Sequence, residues 1–283
     1  MFAALVLASC GATPESQAPG PKSEATETPL VQEANQEFLR RTSFGAMGTD
    51  VSIEVIGPDV AKLDQALQAA ETELRRVEDV MTSWRDSPLT RLNAKAGEGP
   101  QPVSQELAEL IGYGLAIGEL TDGAFDITFA SVGKLWDFKA TPPRVPSSEE
   151  INLALVAVGF QKVRLDLDAL TIALPKGTQI GLGGIAKGLG VDRAMAVLLD
   201  HGIANAVVNA GGDMKVLGTK FGEPWRIAVK HPRHKDEVIA MIPLSNTCMV
   251  TSGDYERFFE YEGVRYHHIL DPRTGYPATG AMS

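Results

Sequence analysis

Gly181-Leu182-Gly183-Gly184-Ile185-Ala186-Lys187-Gly188 is the stretch on which the reading of this chain turns. It follows an apolar, strand-like segment and leads into a helical pattern from Ala186 to His201, with Gly202 placed as the stop. A glycine-rich turn ahead of a helix aims backbone N–H groups and the positive helix end at one point, where phosphate oxygens bind. Lys187 adds a mobile cation at the mouth. The same turn also permits plain close packing of a helix on a strand, so both readings stand at this level.

Downstream, Ala204 to Val208 reads as a buried strand entering Asn209-Ala210-Gly211-Gly212-Asp213, a second glycine turn. Upstream, Val163 to Leu167 and Thr171 to Leu174 read as short strands. Ser147 with Glu150 forms a capping box for a helix ending at Gly159. Ser104 to Leu120 reads as a helix, and Ala124 to Thr128 as a short strand after the Thr121-Asp122-Gly123 turn. Pro58 opens a long helix whose Val60, Leu63, Leu67, Ala70, Leu74, Val77 and Met81 make one apolar stripe, a core face. Ser87 and Pro88 start a short helix through Leu92. Trp84 therefore sits in a connection, as a buried anchor or a stacking platform. Thr49 to Val55 alternates as a half-buried strand, preceded by the tight passage Gly45-Ala46-Met47-Gly48-Thr49.

The last third is β-rich: Trp225 to Val229, Val238 to Leu244, Cys248 to Ser252, and a hairpin from Arg257 to Ile269 turning at Glu262-Gly263. Adjacent His267 and His268 point to opposite faces of a strand, so at most one serves a given site. Cys248, in an apolar stretch, is expected to be a buried small hydrophobe. These patterns predict one α+β domain, mixed β-sheets with packed helices.

The chain has 283 residues, 44% hydrophobic and 22% charged, with a net charge of −10. That charge argues against a nucleic-acid partner, so an anionic ligand needs local positive features such as the opening turn. No HExxH, CxxC pair, complete Walker A sequence or GxSxG elbow is present. Met1 to Leu7 is apolar, and Leu7-Ala8-Ser9-Cys10-Gly11 resembles a bacterial lipobox. That resemblance implies residues 1–10 as a truncated signal peptide, with Cys10 lipidated and the protein anchored to the membrane in the periplasm. Residues 11–36 carry four prolines among Ser, Thr, Glu and Ala, with no aromatic residue, and read as a disordered tether. Residues 37–283 form the folded part.

Five stretches in order give the chain its resemblance: Met47-Gly48-Thr49, Met81 to Asn93, Gly123 to Thr128, Gly181 to Asp192 with Val208 to Asp213, and Tyr266 to Gly275. The last, Tyr-x-His-Ile-Leu-Asp-Pro-x-Thr-Gly, is the most specific. Together they resemble the ApbE family of bacterial flavinyltransferases, the FAD:protein FMN transferases. The resemblance implies transfer of FMN from FAD to a Thr or Ser hydroxyl of a target protein, with release of AMP and help from Mg²⁺. The target would carry a Ser/Thr-Gly-Ala-Thr-like acceptor motif. By the same match, Met47, Trp84, Ala124, Phe125, Asp126, Gly181, Lys187 and Ile269 stand at FAD positions. Trp84 occupies a flavin-stacking position usually held by tyrosine. Gly184 would give Mg²⁺ a backbone carbonyl, Lys187 would neutralise phosphate charge, and His268 would act as base.

Two departures accompany the match. Gly181 stands where the family usually has aspartate, which removes a carboxylate contact to FAD. The family's further strand and helix, with an Asp and a Thr that complete the Mg²⁺ site, would follow Tyr276-Pro277, so the domain is expected to be truncated at its C-terminus. An FAD pyrophosphatase, with water as acceptor, and a non-catalytic FAD-binding lipoprotein are the competing expectations.

Overall fold

Alternation along the first folded residues builds a hairpin. In the computed structural model, which describes residues 36–234 and 237–279, β1 (Phe38–Ala46) pairs antiparallel with β2 (Thr49–Gly57) from Phe38↔Gly57 to Ala46↔Thr49. The two-residue tip, Met47-Gly48, has φ of 55° and 69°. Left-handed backbone at both positions matches the twist of the flanking strands. Val51, Ile53 and Val55 of β2 turn inward and are buried.

Asp59 caps α1 (Val60–Met81), accepting a hydrogen bond from the Lys62 N–H. The stripe from Leu63 to Met81 is buried as expected, with Val60 left exposed on the first turn. Ser87 and Thr90 close a capping box at α2 (Pro88–Ala94). β3 (Gln101–Pro102) and α3 (Gln105–Leu120) follow.

The strand expected over Ala124–Thr128 is a correction. Asp126 instead caps a 3₁₀ turn over Ile127–Phe129, accepting from the Thr128 N–H at 2.7 Å and the Thr128 hydroxyl at 2.6 Å. A carboxylate that satisfies local backbone in this way competes with a strand ladder. α4 (Ala130–Gly133) continues from the turn. α5 (Ser148–Leu155) starts in the expected Ser147–Glu150 box, and β4 (Arg164–Asp166) and β5 (Thr171–Ala173) form a sheet in the order β3-β5-β4.

The segment before the glycine turn also differs from expectation. Residues 178–182 are buried or half-buried but not a strand. Their backbone groups are taken by remote partners: Asn93 bonds both the N–H and the carbonyl of Ile180, Ser131 accepts from Gln179 N–H, and Ile127 O accepts from Gly181 N–H. α6 (Ala186–Asp200) then begins where the sequence placed it.

β6 (Asn205–Ala210) and β7 (Asp213–Leu217) form a second tight hairpin, with φ of 60° at Gly211 and 94° at Gly212. β8 (Trp225–Lys230) pairs with β9 (Val238–Leu244), and β10 (Thr247–Met249) joins the edge of the main sheet. β11 (Phe258–Tyr261) and β12 (Val264–His267) close the hairpin turning at Glu262-Gly263. The main sheet runs β1-β2-β6-β7-β10, antiparallel throughout. α1 and α6 share one core with it, through Ile53, Leu74, Ala194, Leu198 and Val208. A smaller cluster, Ile56, Val207, Val216 and Trp225, gathers separately. The architecture is α+β, as the sequence predicts.

Cys248 corrects another expectation, for it is exposed. It lies on the edge strand β10 opposite Lys215, so its apolar neighbours in sequence say little about its face. The expected signal segment, lipidated Cys10 and the tether as far as residue 35 lie outside the described residues.

Candidate active site

The glycine turn ends on an uncapped helix. No side chain caps α6, and among the described residues the N–H groups of Gly183, Gly184, Lys187 and Gly188 have no hydrogen-bond partner. Open amides at a helix start, with its positive dipole end, are the elements of an anion site. Gly183 and Gly184 are exposed. Lys187 is 26% exposed and pairs with Asp213 at 3.0 Å, a contact that holds its ammonium at the turn. Gly181 is buried: a Cβ there would lie 2.9 Å from Ala130 Cβ and 3.0 Å from Phe129 Cε1. Phe129 and Ala130 therefore occupy the space that the family's aspartate side chain needs to leave this backbone.

The tip of the first hairpin reaches the same region. Met47 is buried under α6, where a Cβ on Gly190 would meet its Sδ at 2.6 Å. Beside it, the missing Cβ of Gly48 would lie 3.0 Å from Arg257 Nη2 and 3.4 Å from Trp84 Cη2. Trp84 is 58% exposed, so of the two fates open to it the structure gives the free ring face rather than the buried anchor. Arg257 Nη2 donates to Gly48 O at 2.6 Å, and Arg257 O accepts from His268 N–H at 3.0 Å.

The two histidines separate as strand geometry requires. His267 is 8% exposed; its Nε2 lies 2.9 Å from Ala278 O and its Nδ1 accepts from Ile269 N–H. A carbonyl partner assigns the proton to Nε2 and completes the ring's bonding. His268 is half-buried with Nδ1 3.3 Å from Arg257 O. That assigns the proton to Nδ1 and leaves the Nε2 lone pair as the free base. Burial pushes the His268 pKa below its ordinary value; the Arg257 carbonyl bond opposes this, while the charges of Arg257, His267 and Lys187 add to it.

Asp126, 6% exposed, is consumed by structure: besides the Thr128 bonds, Oδ2 accepts from Phe160 N–H at 2.9 Å. Its segment still borders the glycine turn, since a Cβ on Gly184 would meet Phe125 Cε2 at 3.0 Å. Ala124 is exposed, and a cleft of about 290 Å³ nearby is lined by Gly123, Asp126, Gly159, Pro272 and Arg273, with neither Ala124 nor Phe125 in its lining. Ile269, half-buried, holds the final turn by accepting from Ala278 N–H at 2.8 Å. Of the predicted residues, Trp84 and His268 thus meet around the Gly48–Arg257 contact, Met47 adjoins it under α6, and Phe125 borders the glycine turn at Gly184. Sequence reasoning missed Arg257, Asp213 and Asn93. Arg257 stood at the edge of a recognised hairpin, but nothing local signalled its reach to Gly48.

Among the described residues, one other cluster has ligand-type side chains. His231, His234 and Glu237 have candidate atoms within 4.8 Å of one another. The imidazoles stack at 4.4 Å and 12°, so their in-plane lone pairs run nearly parallel rather than converging. His231 Nδ1 already accepts the N–H groups of Arg233 and His234. The cluster closes a turn and does not form a coordination cage.

An antiparallel sheet packed with two helices carries a turn with open amides, an exposed indole and a half-buried histidine, groups able to bond an anion, stack on an aromatic ring and accept a proton. The profile of the ApbE family matches residues 47–283. Relatives named FAD:protein FMN transferase include one from Vibrio cholerae, 35% identical over 237 residues, 82% of this chain and 71% of that protein. Another, from Treponema pallidum, is 35% identical over 77% of this chain and 65% of its own length. Among solved structures, an ApbE protein from Thermotoga maritima superposes with a TM-score of 0.80 at 39% identity, covering 87% of this chain and 80% of that one. The flavin transferase ApbE from Vibrio cholerae gives 0.76 at 31%, with 86% and 79% covered. The chain belongs to the ApbE family.

Proposed function

We propose that this chain is an FAD:protein FMN transferase, which moves FMN from FAD to a Thr or Ser hydroxyl of a target protein and releases AMP. The family and the names of its relatives support the transferase class. The observation that carries the chemistry is the placing of an exposed Trp84 face and a half-buried His268 base around the Gly48–Arg257 contact.

In this reading the isoalloxazine stacks on Trp84, where a large π face gives contact without hydrogen-bond demands. The pyrophosphate lies toward the open amides of the glycine turn and Lys187, which offset charge developing on the phosphate oxygens. His268 Nε2 takes the proton of the acceptor hydroxyl as its oxygen attacks the FMN phosphorus. The bond to the AMP phosphate breaks, and AMP leaves with that oxygen. A depressed pKa keeps His268 neutral and able to accept the proton at neutral pH.

Mg²⁺, when bound, would neutralise the pyrophosphate. The Gly184 carbonyl is the group of this chain matched to it; its turn is exposed and the Gly188 N–H does not bond back to it. One backbone oxygen suits a hard cation that draws its other ligands from substrate phosphates and water. The acceptor motif, Ser/Thr-Gly-Ala-Thr, and a periplasmic membrane anchor through Cys10 belong to the same proposal and rest on sequence resemblance.

The test is incubation with FAD, Mg²⁺ and an acceptor domain carrying that motif, followed by a denaturing gel viewed for flavin fluorescence. The chain should label the acceptor, while His268→Ala should bind FAD and leave the acceptor dark. Free FMN with no labelled acceptor would establish the pyrophosphatase; unchanged bound FAD would establish a binding protein. Near-normal labelling by His268→Ala would remove the histidine from the mechanism.

A further inference from the structure

Arg257 is exposed, yet both ends of it are committed to the rim of the site. Its guanidinium reaches from the hairpin formed by β11 and β12 to the tip of the hairpin formed by β1 and β2, where Nη2 donates to Gly48 O at 2.6 Å. Gly48 is left-handed, and its lack of a Cβ is what lets Nη2 and the Trp84 ring close over the tip together. The backbone carbonyl of the same residue accepts from His268 N–H at 3.0 Å and faces His268 Nδ1 at 3.3 Å. One residue thus reaches the hairpin tip that adjoins the Trp84 ring with its side chain, and the base with its main chain. Among the described residues the guanidinium has no other hydrogen bond and no carboxylate partner, so its charge is not neutralised locally. Among the described residues the polar contacts of Arg257 are all at the rim.

We propose that Arg257 is a positioning residue that couples the Trp84 platform to the His268 base, holding the hairpin tip against the indole while its own carbonyl fixes the imidazole with Nε2 open. The inference rests on the transferase reading for its use in catalysis, but the coupling itself is a property of the apoprotein. The guanidinium does a second thing that a neutral link could not. Its positive charge disfavours a second proton on His268, together with Lys187 and His267; Asp213 faces Lys187 and offsets part of that cation. The sign follows: removing the Arg257 charge raises the His268 pKa toward its ordinary value, while burial and the charges of His267 and Lys187 still hold it down. The protonated, inactive fraction at pH 6.5 to 7 then grows, and the acid limb of the transfer rate moves to higher pH.

The experiment uses the full chain with Arg257→Gln and Arg257→Lys. Proton NMR titration of the His268 C2–H, assigned with His268→Gln, reads the base directly and needs no turnover. Arg257→Gln should raise the His268 pKa, and Arg257→Lys should keep it near that of the unsubstituted chain. FAD titration, followed by flavin quenching on Trp84, should weaken by about tenfold for Arg257→Gln and less for Arg257→Lys, since the charge and one donor remain. Where transfer is measurable, its acid limb should shift with the NMR value. An unmoved His268 pKa in Arg257→Gln would overturn the coupling, even if transfer were normal. If the unsubstituted chain bound FAD but labelled no acceptor, the transferase reading would fall, while the NMR shift would still decide for or against Arg257.

Discussion

Trp84 keeps 58% of its surface open although its neighbours Met81 and Thr82 are buried. An exposed indole at the rim of an anion turn gains most when a planar ring covers it, and aromatic stacking of this kind is worth about 1–3 kcal/mol. Trp84→Ala should therefore raise the dissociation constant for FAD by about tenfold or more, with loss of flavin quenching, while thermal stability changes little. Titration of the variant by fluorescence and by calorimetry checks it; unchanged affinity would take the indole out of the site. At this scale the sequence told residue types more reliably than exposure. The His267–His268 pair was legible because strand alternation forces the two rings apart. Trp84 and Cys248 were not, since the face each takes depends on packing from elsewhere in the chain. Gly181 shows the same limit: its identity reads as a lost carboxylate, whereas the structure shows Phe129 and Ala130 filling the space beside it.

Elements announced by local chemistry were legible. The α1 stripe, the Ser87-Pro88 start and the Ser147–Glu150 box each specify a helix through neighbours in sequence, and each helix is there. The failures, Ala124–Thr128 and the segment before Gly181, are short apolar runs whose backbone is claimed by Asp126 and by remote side chains. A short run carries no period that separates these outcomes. Packing between elements was equally silent, and the seam of α1 with α6 is where it matters to the site. Gly190 of α6 leaves room for Met47 Sδ and Leu74 Cδ2, which would stand 2.6 Å and 3.0 Å from a Cβ there. Gly190→Val should cost about 1–3 kcal/mol by overpacking, more than the gain in helix propensity returns. The displaced Met47 should also disturb the adjoining Gly48 tip and weaken FAD binding. Urea unfolding with a parallel FAD titration tests both; a more stable variant with normal affinity would show that the seam is slack.

For the whole molecule, a net charge of −10 means that an anion such as FAD meets an unfavourable long-range field, so the proposed site needs the local positive groups, Lys187, Arg257 and the open amides, to attract it. Such a site depends on being held rigidly, because charges that drift from the phosphates lose their advantage over water. Asn93 provides one such hold. It is buried in α2, and its amide bonds both the N–H and the carbonyl of Ile180 at 2.8 and 2.9 Å, across 87 residues of sequence. Gly181 and the anion turn start immediately after. No spacing or motif announces a contact of that separation, which is why the turn was recognisable from sequence while its support was not. Asn93→Ala would leave two backbone groups without their partners in the interior, at a cost on the order of 3 kcal/mol. Beyond the lower midpoint in urea, the released turn should bind FAD more weakly even at temperatures where the variant is fully folded. Asn93→Asp separates the two effects, since it keeps the acceptor for Ile180 N–H but cannot donate to the carbonyl when ionised. A variant that lost stability but retained FAD affinity would show that the turn holds its shape through Gly181 and Ile127 alone.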